Sequence, residues 1–398
     1  MTGRRRALGT LALGALAYAC LLFAWFSLPA LLSPITADLG LAGWQAGLLA
    51  GAVPLIYVPL SLFSGLAVDR VGPRAAIGAG LALVGVAHLA RGLAPGFPSV
   101  LLLTFLLGVG GTGITFGLPK LVSVLFSEAE TGRASAGYLM GSYLGSAAAF
   151  SLAGPVLAPA LGGWRPAFQA AGLGVLAFAG LWLLVTRWTL ADARSPSGSD
   201  GGTSVREDLG AVLSNPALRL LVVVGTAYLL LLHGLQGWLV RLLESRGVAT
   251  TVAGAATTLF VGSQVVGALG IPALADRLDA RRWAVAVCGA LAAVGTAALA
   301  VVAGVGPAVG AAAVAGVGIG GLSPLVRALP VELEGIGAAR TGAAVGLVFA
   351  VGEIGGFAGP FLVGTLYDLT GSFAPGLAVL SVGGLAAVLA GAALVRRA

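Results

Sequence analysis

Long apolar stretches separated by short charged turns constrain this chain more than anything else in it. A helix of roughly 20 residues, rising about 1.5 Å per residue, crosses roughly 30 Å of hydrocarbon. Strands of that task would be half as long and would alternate. A soluble fold has no place for such surface: 9% of the residues are charged, where soluble domains carry about 25%. The mean hydropathy of +1.01 says the same. The expected fold class is an all-α membrane protein with spans at 7–32, 44–68, 75–93, 99–122, 134–161, 164–185, 217–242, 250–274, 283–304, 307–328, 341–366 and 375–395.

These spans fall into two six-helix bundles, 1–185 and 216–398, joined by a Ser/Gly/Asp-rich stretch at 186–215 that reads as a cytoplasmic linker. The basic start of the chain, 1–6, runs straight into a span-length apolar segment, which reads as a retained first helix. With the N-terminus in the cytoplasm, eighteen of the lysines and arginines fall on that side. Only Arg91, Arg165, Arg241 and Arg246 fall outside, which predicts a multi-pass cell-membrane protein with both termini cytoplasmic. The +7 net charge is therefore a topology signal, and no nucleic-acid partner is expected. Cys20 and Cys288 both lie in predicted helices, with no metal-ligand spacing, so neither metal nor cofactor is expected.

Two charged turns, GLAVDRVGPR at 65–74 and PALADRLDAR at 272–281, place Asp69-Arg70 and Asp276-Arg277 207 residues apart. The same offset relates Gly40 to Gly247, Gly113 to Gly320, Lys120 to Arg327, Arg133 to Arg340 and Gly145 to Gly352. The chain is thus a tandem repeat of two halves in the same orientation, the pattern of a carrier whose halves rock about a central site.

On these residues the chain resembles the major facilitator superfamily over its whole length. Gly65, Asp69, Arg70, Gly72 and Arg74 match that family's loop motif, with Pro73 in place of a usual arginine. Within the superfamily, LPKLVSVLFSEAETGRASAG, GGWRPAF and HGLQGWLVRLLESRGV resemble the cyanate and nitroimidazole (CynX/NimT-like) branch, with nitrate carriers as relatives. Nitrate carriers are expected to hold their anion with arginines inside helices 2 and 8, and neither 44–68 nor 250–274 has one. The resemblance implies a crossed cytoplasmic gate: Asp69 near Arg340 and helix 11, Asp276 near Arg133 and helix 5. In helix 11, Gly346, Gly355, Gly359 and Pro360 are similar to the glycine-proline pattern of proton-coupled exporters, whose physical content is close packing and a kink.

Residues present in one half only mark where the site is asymmetric. Glu353 corresponds to Ser146 and lies about 12 residues, or roughly 18 Å, into helix 11. An acid at that depth costs roughly 2.5–3.5 kcal/mol on insertion scales, and serves either proton coupling and solute contact or a bond to kinked backbone. His233, which corresponds to Phe26, stands three residues before Gln236 on one face of helix 7, a helix that lines the cavity in this family. Gln264 and Tyr57 occupy equivalent positions on helices 8 and 2 and can contact solute without charge. Lys120 and Arg327, at equivalent ends of helices 4 and 10, are either snorkelling anchors or a clamp for an entering anion. His88 is set aside, because helix 3 is peripheral in this family.

An enzyme would need a cluster of His, Asp, Cys or Ser, and an ATP-driven pump a phosphate-binding loop; the chain has two histidines and no such loop. The expected function is alternating-access transport of a small anion or polar organic solute. It would be driven by a proton or counter-ion gradient, by a monomer in the lipid bilayer. Export of a hydrophobic drug is the alternative, and a non-transporting sensor belongs to a different class.

Overall fold

The computed structural model describes residues 2–187, 189–190, 214–333 and 336–396. Most of the expected linker, 186–215, lies outside the described residues. Among them, twelve helices are long and apolar enough to cross a membrane. They are α1 (Thr2–Ala30), α2 (Gly43–Val71), α3 (Pro73–Arg91), α4 (Phe97–Leu125), α5 (Glu128–Leu161) and α6 (Trp164–Thr186). The second set is α7 (Pro216–Ser245), α8 (Thr250–Arg277), α9 (Arg281–Val301), α10 (Val305–Ala328), α11 (Gly337–Thr370) and α12 (Ala374–Val395).

Local chemistry sets the helix ends. Gly72, at φ +83°, supplies the left-handed turn before Pro73, whose fixed φ suits the first position of α3. Asn215 accepts hydrogen bonds from the Ala217 and Leu218 amides at 2.9 and 3.1 Å and so caps α7, with Pro216 following it. α5 passes through a π-helical stretch, Ala149–Leu157, that contains Pro155. Pro155 lacks an amide hydrogen and crowds the preceding turn, so the wider winding accommodates it.

The chain forms two compact units, one of residues 1–40 and 59–200, the other of 41–58 and 201–398. The boundary therefore also falls inside α2. The first turns of α2 belong with the second unit because Gly43, Gly47 and Gly51 lie against α11 at Gly364, Pro360 and Phe357. A Cβ at Gly51 would stand 2.9 Å from the Phe357 carbonyl oxygen, so only glycine permits this approach. The helix pairs α1/α5, α3/α4 and α3/α6 of the first unit recur as α7/α11, α9/α10 and α9/α12 of the second, as the 207-residue repeat predicts.

Candidate functional site

The second unit holds the chemistry-bearing cluster. α7 and α11 run in close contact because Gly355 lies on the Thr226 carbonyl and Gly359 on the Leu230 carbonyl and the Gly234 backbone. Gly346, expected to pack in the same way, faces open space and takes no part in the contact. Its position on an exposed part of α11 explains the difference. The Pro360 carbonyl accepts a hydrogen bond from the Trp238 indole at 2.8 Å, which fixes the register of the two helices.

In this register Glu353 of α11 meets His233 of α7, with Oε2 and Nε2 4.0 Å apart. The two side chains are 12% and 6% exposed. Glu353 Oε2 is buried and accepts no hydrogen bond, and the distance to His233 is too long for one. One turn along α11, Gly356 leaves the space into which this carboxylate reaches. A Cβ there would stand 2.7 Å from Glu353 Oε2, 3.0 Å from His233 Cδ2 and 3.1 Å from Pro54 Cβ of α2. A buried carboxylate oxygen without a hydrogen bond is costly to keep charged. The arrangement suits a group that exchanges a proton or meets a polar solute.

Gln236 is buried on α7 and Tyr57 on α2. Gln264 is buried on α8 beside Gly320 of α10, and its side-chain amide nitrogen has no hydrogen-bond partner. The structure thus brings Glu353 and His233 together, and places Gln236, Gln264 and Tyr57 at buried positions of the same unit.

The two expected clamp cations behave differently. Lys120 bonds Asp69 at 2.8 Å; α4 delivers it to the end of α2. Arg327 makes no ion pair among the described residues. Its guanidinium lies 4.4 Å from the Phe349 ring centroid and donates to the Ser323 carbonyl and hydroxyl at 2.7 and 2.6 Å.

The acidic residues of the gate motif have partners within their own halves. Asp69 takes Lys120 as its partner, and Asp276 takes Arg281 at 2.5 Å; Arg281 in turn pairs with Glu332. Each carboxylate is satisfied by a cation of its own half, because the neighbouring helix of that half presents one within reach. Arg74 instead donates to the Leu183 carbonyl at 2.7 Å, and Trp182 donates to the Arg74 carbonyl. Arg70, Arg133 and Arg277 are exposed, and the side chain of Arg340 lies outside the described residues. Gly65 has open space around it, and Gly72 makes the turn into α3.

Two features were missed in the sequence. Asp368 accepts hydrogen bonds from the first two amides of α2, Gly43 at 2.6 Å and Trp44 at 2.7 Å. An acid in the last turn of α11 opposes that helix's own dipole, and this local misfit was a legible sign that it serves another helix. The second is a buried cluster in the first unit around Arg91, which is fully buried rather than facing water. Arg91 donates to the Ala24 carbonyl at 2.5 Å and to His88 Nδ1 at 2.6 Å, and lies 4.9 Å from the Phe168 ring centroid. Since arginine only donates, His88 accepts at Nδ1 and carries its proton on Nε2, 3.5 Å from Ser27 Oγ. The three-residue spacing of His88 and Arg91 places them on one helix face.

A family model described as Major Facilitator Superfamily matches residues 14–241, more than half of the chain. A quinolone resistance transporter of Acinetobacter baumannii is 27% identical over 372 residues, covering 87% of this chain and 84% of that protein. A putative tartrate transporter of Agrobacterium vitis is 26% identical over 365 residues, covering 85% and 79%. The narrower resemblance to the cyanate and nitroimidazole branch finds no support in these relatives. Among solved structures, a bacterial homologue of the human lysosomal transporter Spinster, inward-facing and unoccupied, superposes with a TM-score of 0.81 at 18% identity. That likeness covers 98% of this chain and 96% of the other, and it concerns the fold alone.

Proposed function

Because this chain belongs to the Major Facilitator Superfamily, and is a multi-pass membrane transporter rather than an enzyme, we propose that it moves a small organic anion or other polar organic solute by alternating access, coupled to protons. In this reading it works as a monomer in the cell membrane, with both termini in the cytoplasm. The observation that carries the reading is the contrast between Lys120, tied to Asp69, and its repeat counterpart Arg327, held over Phe349 with no ion pair among the described residues and with Glu353 as the acid within its electrostatic reach. A guanidinium presented on an aromatic face is suited to bidentate recognition of a carboxylate. The Glu353–His233 pair lies in the same unit and provides a group for the proton. The likeness to tartrate transporters points to the same class of hydroxycarboxylate cargo.

Proton-coupled export of a drug is the second reading. It is favoured by the quinolone resistance relative and by the stacked Phe357 and Phe361 rings of α11, 5.2 Å apart. Counterflow in proteoliposomes separates the two. Labelled tartrate and a labelled fluoroquinolone are offered in turn, with and without a pH gradient. Exchange of the organic anion that depends on Arg327 supports the first reading; exchange of the quinolone alone replaces it with the second.

A further inference from the structure

The repeat exposes a choice of ion-pair partner that the two halves have made in opposite ways. At the single offset of 207 residues, Asp69 corresponds to Asp276, Arg74 to Arg281 and Lys120 to Arg327. At these three equivalent positions each half has a carboxylate at the end of its second helix, a cation at the start of the third helix and a cation near the end of the fourth. In the first half the carboxylate takes the fourth-helix cation, Lys120, and Arg74 is left to a backbone carbonyl. In the second half it takes the third-helix cation, Arg281, and Arg327 is left to Ser323 and Phe349.

Three substitutions between the halves accompany the difference. Glu332 pairs with Arg281, whereas its counterpart is Leu125. An extra carboxylate on that side holds Arg281 between two acids. Ser323, which receives the Arg327 guanidinium, corresponds to Phe116, and Phe349, on which it lies, corresponds to Ser142. The first half thus lacks both the acid that would retain Arg74 and the seat that would receive Lys120.

We infer that Asp276, Arg281 and Glu332 form a positioning device that keeps Arg327 available to an anionic solute by removing the carboxylate that would otherwise capture it. The first half shows the captured arrangement in the same fold. Lys120 reaches Asp69 there, and an arginine side chain is no shorter than a lysine. The inference rests on the proposed anion-binding role of Arg327 and deepens it by naming what controls that residue. Arg281 and Glu332 touch no solute in this scheme; they act through Asp276.

The test is counterflow of labelled tartrate in proteoliposomes, reading KM and kcat separately, with gel filtration of each variant as the folding check. Arg327→Gln sets the scale and raises KM by roughly tenfold, as expected for a lost charge-assisted bond. Arg281→Gln frees Asp276 to capture Arg327 and raises KM by a similar factor. Asp276→Asn breaks the same ion pair without creating a competitor, and leaves KM within about twofold of the starting protein; because Arg281→Gln also frees Glu332, adding Asp276→Asn and Glu332→Gln together restores KM to that level. Equal KM increases in Arg281→Gln and Asp276→Asn would overturn the inference, since that is the mark of a merely structural ion pair. So would an unchanged KM in Arg281→Gln beside a raised KM in Arg327→Gln, an outcome that leaves the anion reading standing. An unchanged KM in Arg327→Gln overturns that reading, and this inference with it.

Discussion

Adding one methyl group at Gly356 tests the Glu353–His233 pocket without removing any charge. Ordinary van der Waals contact begins at 3.4 Å, and the new Cβ would stand 2.7 Å from Glu353 Oε2. The carboxylate must retreat by about 0.7 Å, which a rotation at the end of a flexible side chain supplies at about 0.5–1.5 kcal/mol. His233 Cδ2 and Pro54 Cβ, at 3.0 and 3.1 Å, must also give by a few tenths of an ångström, and both belong to stiff rings. The total falls within the roughly 1–3 kcal/mol typical of one methyl too many in a packed site. Most of that cost is borne by the arrangement of Glu353 relative to His233. Gly356→Ala is therefore expected to fold, to lose modest thermal stability, and to lose most of its stimulation by a pH gradient. Gly346→Ala on the same helix meets open space and serves as the control, with activity and stability unchanged. Full pH stimulation in Gly356→Ala would refute the reasoning, because the pocket would then have no part in coupling.

Three further perturbations follow from other parts of the structure. Glu353→Gln keeps the shape of the side chain and removes its exchangeable proton; counterflow should persist while pH-driven accumulation is lost. Arg91→Leu orphans the acceptor Nδ1 of the buried His88, at a cost of about 1–3 kcal/mol, and thermal unfolding followed by gel filtration should show the drop. Asp368→Ala removes the acceptor for the first two amides of α2 and should destabilise that end by about 0.5–2 kcal/mol, read as faster hydrogen exchange at 43–47. Asp368→Asn should recover part of the loss, since its amide oxygen still accepts one of the two bonds.

Much of the fold was legible because hydrocarbon imposes one requirement on every span. Apolar length located the twelve helices, and the 207-residue echo of Asp69 in Asp276 predicted the repeated packing of α3 on α4 and of α9 on α10. Polar residues lacking a counterpart pointed to Glu353 and His233, which lie 4.0 Å apart although 120 residues separate them in the chain. Side-chain direction was less legible. Lys120 and Arg327 look equivalent at the level of residue type, and only the structure shows one paired to an acid and the other turned onto a ring. The residues that differ around them, Glu332, Ser323 and Phe349, belong to other turns or helices. Arg91 was counted among water-facing topology signals, because a loop-end arginine carries no mark of burial in the sequence. Glycine spacing likewise failed to distinguish Gly346 from Gly355, since only contact with another helix gives such a pattern its meaning.

The central claim, that solute and proton move together through a unit containing Glu353, is tested most directly by solute-driven proton movement. Proteoliposomes loaded with a pH-sensitive dye are given an inward tartrate gradient at zero membrane potential. The account predicts a change in lumenal pH for the starting protein and none for Glu353→Gln, with tartrate counterflow intact in both. Tartrate counterflow without any change in lumenal pH in the starting protein would contradict it.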